Sequence, residues 1–141
     1  MPTLTRWFVK TAMLYFLVGF MLGGWLLIAA GQHHHAFDSV LQPVYWHLLL
    51  VGWLMQLIFG VAYWMFPAAT PKSPQRRPIA GWLTYVTLNS GLLLRVVIEP
   101  WHSLRPQARV GWLLVPAAVL QVIAGWSFVF TIWRRIRGRR R

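Results

Sequence analysis

Apolar positions in this chain fall into four long blocks, separated by short stretches rich in Pro, Gly, His and Arg. The blocks run from about Lys10 to Ala30, Pro43 to Phe66, Ile79 to Glu99 and Val110 to Trp133. Each meets the requirement of about 20 residues for a helix to cross roughly 30 Å of hydrocarbon. Polar residues inside the blocks are isolated, so lipid is the expected solvent. The expected fold is an all-α, integral membrane four-helix bundle forming one domain over residues 1–141. Gly31 ends the first helix, and Pro43 suits the first turn of the second. A breaker-rich turn, PAATPKSPQRRPIAG, follows the second. Pro100 is expected to end the third helix, because the residue before a proline avoids helical geometry. Pro116 is expected to kink the fourth.

Composition strengthens this picture. Hydrophobic residues make up 57% of the chain and charged residues 11%, against about 25% charged in a soluble domain. Ten Trp fit interfacial belts. The net charge of +12, from fourteen Lys and Arg against Asp38 and Glu99, would suggest nucleic acid on a soluble chain. Here the cations flank apolar blocks, and the positive-inside rule accounts for them without a nucleic-acid partner. Arg6, Lys10, Lys72, Arg76, Arg77 and the Arg-rich tail all fall on one side of a four-span topology. Both termini are therefore expected in the cytoplasm of a bacterial or archaeal cell, with the tail attracting anionic lipid. The apolar run near the N-terminus has no convincing small-residue cleavage site and reads as a retained helix. The absence of cysteine removes thiolate metal sites, iron-sulfur clusters and covalent haem attachment through C-x-x-C-H.

Candidate chemistry centres on the second block. An ionisable residue inside a span is a functional-site hypothesis by default, and His47 lies about 6 Å below the outer end of a helix starting at Pro43. On a 3.6-residue wheel His47 shares a face with Val51, Leu54 and Ile58. Gly52, Gln56, Gly60 and Tyr63 fall on the opposite face, as a packing seam. Arg95 in the third block is expected at a similar depth. It forms an i, i+4 pair with Glu99, which reads equally as a self-contained ion pair or as a cation for a ligand's carboxylates. Gly19 and Gly23 form G-x-x-x-G, read first as packing within the chain and second as a dimer contact.

The run HLLLVGWLMQLIFGVAYWMFP, His47 to Pro67, resembles the second transmembrane helix of the haem-copper oxidase catalytic subunit, in particular its nitric oxide reductase branch. LNSGLLLRVV in the third block is similar to a segment of NnrS-type haem-copper membrane proteins. The resemblance implies haem b ligated by His47. It does not extend to the further spans and deep histidines of a complete oxidase, so it argues against oxygen or nitric oxide reduction by this chain alone. A haem needs axial nitrogen and partners for its propionates. His102 and one of His33, His34 and His35 are the candidate second ligands, and Arg95, Arg105 and Arg109 the candidate propionate partners.

The HHH run keeps three readings: a solvated loop, copper or zinc capture, and haem ligation by one of the three. No Ser-His-Asp set, paired carboxylates or phosphate-cradling loop occurs, which leaves hydrolase and transferase chemistry without a site. The expected role is electron transfer or haem-dependent sensing, as a homodimer or within a larger respiratory or photosynthetic membrane complex. A cofactor-free accessory subunit is the alternative, and copper handling the third.

Overall fold

A computed structural model describes residues 1–31, 35–66, 78–105 and 109–137. Helix α1 covers Thr3–Gly31. The second rod consists of α2 (His35–His47), a π-helical stretch Leu48–Met55, and α3 (Gln56–Met65). Helix α4 covers Pro78–Leu104, and α5 (Leu114–Arg137) follows a 3-10 turn at Gly111–Leu113. No strand occurs among the described residues. Four segments are long and apolar enough to cross a membrane: Thr3–Gly31, Val40–Met65, Ile79–Leu104 and Gly111–Ile136. This is the expected all-α four-helix arrangement.

The prolines behave differently from expectation. Helix α2 begins at His35 and carries Pro43 in its interior, and α4 runs through Pro100 to Leu104. A proline inside a helix removes one hydrogen bond, but membrane helices tolerate that loss when neighbouring groups satisfy the freed carbonyl. Pro116 lies in the first turn of α5, where a missing N–H costs nothing. The hydrogen bond from Leu113 N–H to Val110 O at 3.0 Å closes the 3-10 turn just ahead of it. The turn between the second and third spans, with Lys72, Arg76 and Arg77, lies outside the described residues, as do residues 138–141 of the tail.

The π stretch also corrects the wheel. Val44, Leu48, Gly52 and Gln56 are all buried, and these positions are spaced by four. On a 3.6-residue wheel each such step drifts about 40°, or about 120° over three. The wider π turns absorb that drift and keep the four in line. Beyond Gln56 the buried positions Phe59, Gly60 and Tyr63 return to α spacing. His47 is therefore not opposite Gln56. Leu54 and Ile58, its expected face-mates, are exposed.

Close approaches hold the bundle together. A Cβ on Gly19 would sit 2.9 Å from Leu49, and one on Gly23 would sit 2.7 Å from Tyr45. The G-x-x-x-G of α1 thus packs against the second rod of the same chain. Gly52 is equally tight against Tyr15 and Leu92, and Gly60 against Phe8. Between α4 and α5, Gly91 lies against the Ala117 carbonyl. Near the end bearing the N-terminus, Phe8, Phe59, Tyr63, Leu88 and Ala124 form a core cluster, with Phe59 stacked on Phe128 at 3.8 Å between ring centroids.

Hydrogen bonds tie these helices across the apolar interior. Tyr15 OH donates to Asn89 Oδ1 at 3.0 Å, Gln56 Nε2 donates to Thr11 Oγ1, and Thr84 Oγ1 lies 3.1 Å from both Tyr63 OH and Ser127 Oγ. At the same end, Arg135 Nη1 donates to the Phe66 carbonyl at 2.8 Å, across from α5 to the end of α3.

Candidate functional site

His47 is the last residue of α2, at the point where the backbone widens into the π stretch. Its Nδ1 lies 2.7 Å from the Pro43 carbonyl, one turn back, and 3.3 Å from Glu99 Oε2 on α4. The Pro43 carbonyl can only accept, so its hydrogen bond requires a proton on Nδ1, and the Glu99 carboxylate stands beside the same nitrogen in ion-pair range. In the neutral ring Nδ1 therefore carries the hydrogen and Nε2 keeps the lone pair. This is the arrangement of a ligating imidazole, whose second nitrogen is fixed by a carbonyl or carboxylate.

Glu99 is shared. Its Oε1 lies 3.5 Å from Arg95 Nε, one turn earlier on α4. The side chains of His47, Arg95 and Glu99 are 23%, 28% and 15% exposed, so the trio is neither dry nor freely solvated. Arg95 Nε and Glu99 Oε2 are both enclosed and make no hydrogen bond of good geometry. Both stand in ion-pair contact within the trio.

The remaining candidates are placed as follows. His102 lies on the last turn of α4, because the helix continues past Pro100, where it was expected to end. Its ring presses on Gly111, where a Cβ would meet Cε1 at 2.9 Å and Nδ1 at 3.0 Å, and Nδ1 is enclosed without a hydrogen-bond partner. Arg95, Glu99 and His102 fall at i, i+4 and i+7, along one stripe of α4. Arg105 and Arg109 are exposed beyond the helix end. The backbone of His35 opens α2; its side chain, with all of His33 and His34, lies outside the described residues. No group of three or more His, Asp or Glu side chains converges as a metal site among the described residues.

Sequence reasoning paired Glu99 with Arg95 and missed its contact with His47. The signal was available only as a shared depth on antiparallel spans. No family model, curated protein or solved structure matches the chain.

Proposed function

We propose that this chain is a membrane haem b protein in which His47 Nε2 is an axial ligand, serving electron transfer or haem-dependent sensing. The observation that carries the reading is the hydrogen bond from His47 Nδ1 to the Pro43 carbonyl, with the Glu99 carboxylate alongside, which leaves Nε2 as the coordinating nitrogen. The donor set fits such a group: one oriented imidazole, and the Arg95 cation within a helical turn of its carboxylate partner. When bound, haem iron would supply a one-electron couple tuned by its axial ligands and their hydrogen bonds.

His47 would hold the iron, and the Pro43 carbonyl would fix its ring, with Glu99 beside it. Arg95, with Arg105 or Arg109 at the same end, would meet propionates. His102 and the HHH run supply the candidates for a second ligand. The membrane is a bacterial or archaeal cytoplasmic one in this reading, with both termini inside and a homodimer or larger complex as the working assembly. One specific observation favours a cofactor-free packing subunit instead, namely that Glu99 already contacts both His47 and Arg95.

Absorbance decides between them. Protein produced with haem available should show a Soret band and sharp reduced α and β bands, and His47→Ala should lose them. A colourless wild-type preparation overturns the haem reading and leaves the packing subunit.

A further inference from the structure

An open cavity of about 560 Å³ runs between α1 and the second rod. Its α1 wall extends from Phe16 to Ala30, and its second wall from Gln42 down to Trp53. At 1.5 Å per residue the α1 wall spans about 21 Å and the second wall at most about 16 Å. Half of a roughly 30 Å hydrocarbon core is about 15 Å.

The cavity therefore covers one leaflet, its α1 wall reaching from the midplane into the headgroup region, since half of the full bilayer thickness is about 20–22 Å. Phe16 and Trp53 sit near the midpoints of their spans, and their ring centroids are 4.6 Å apart, so an aromatic pair forms the floor at the level of the bilayer midplane. Gln42, exposed and polar, stands at the mouth. Gly24 opens the side wall, since a Cβ there would meet nothing within 4 Å.

We infer that this cavity binds a phospholipid from the leaflet at the histidine end, an acyl chain lying along it with its methyl terminus resting on Phe16 and Trp53. Phospholipid is the occupant because the bilayer that surrounds four such spans presents acyl chains of this length at this depth. The inference does not depend on haem.

Delipidated protein in detergent, titrated with dioleoyl phosphatidylcholine and read by native mass spectrometry, tests it. The wild type should retain a discrete single-lipid adduct. Gly24→Trp, whose Cβ has open space around it and whose indole would occupy the cavity, should lose that adduct. Gly125→Trp, at an equally open glycine on α5, should keep it and shows that a new Trp on a lipid face is tolerated. Three results overturn the inference: no discrete adduct in the wild type, equal retention by Gly24→Trp, or an adduct formed only with a long-chain isoprenoid alcohol supplied in parallel. Loss of a dimer in Gly24→Trp would also overturn it, by making the cavity a docking face for a second copy.

Discussion

Gly52→Ala tests whether the π stretch is held by contact or merely tolerated. The added methyl would meet Tyr15 Cβ and Cγ at 2.9 Å and Leu92 Cδ2 at 3.0 Å. Tyr15 cannot swing away freely, because its hydroxyl donates to Asn89 at 3.0 Å. Overpacking of this kind costs about 1–3 kcal/mol, and loss of the interhelical hydrogen bond adds about 0.6 kcal/mol in a membrane. Alanine returns about 1 kcal/mol through its higher helix propensity. The net expectation is destabilisation by about 0.6–2.6 kcal/mol. Gly125→Ala, with open space around it, should instead gain up to about 1 kcal/mol. Equilibrium unfolding of both variants in mixed micelles, followed by helical circular dichroism, measures the difference. Equal behaviour of the two would refute the contact argument. In a Tyr15→Phe background, which keeps the Cβ and Cγ that the methyl meets, most of the Gly52→Ala cost should remain; its complete disappearance would assign the effect to the hydroxyl and refute the contact argument.

Three further outcomes follow from the same geometry. In haem-free protein with a neutral His47 ring, nitrogen-15 shifts should report the hydrogen on Nδ1; an Nε2-protonated tautomer would remove the basis of the proposed ligation. Thr11→Val should destabilise more than Gln56→Leu, by about 1–3 kcal/mol against about 0–1 kcal/mol. The first strands a buried amide, whereas the second removes both the donor and the unpaired Oε1. Phe59→Ala, which deletes the ring stacked on Phe128, should cost about 3 kcal/mol or more in the same unfolding measurement.

The four spans were legible in the sequence because backbone in lipid must satisfy its own hydrogen bonds, and only long apolar helices do so here. The packing role of Gly52, Gln56 and Gly60 was legible too, from small and amide residues recurring along one line. Helix ends were not: Pro43 and Pro100 carry strong stop signals in water, and both lie inside helices here. The Arg95–Glu99 pair could be read from local spacing. The contact of Glu99 with His47 joins residues 47 and 99, and no local pattern encodes it. The π stretch left no mark in residue type, since LLLVGWLM suits an α-helix equally well.

That stretch has a consequence for how the chain tolerates changes of length. Val44 and Gln56 are twelve residues apart, and in an uninterrupted α-helix they would stand about 120° out of phase. Eleven residues would bring them within about 20°, so Leu48–Met55 houses one residue more than a plain α-helix needs between its two buried ends. Deleting a single residue there should let the rod close into continuous α-helix, with both flanking faces still seated on α1. The same deletion elsewhere in the second span would turn every later side chain by about 100°. The second rod thus has one place where its length can change by a residue without disturbing the helices on either side.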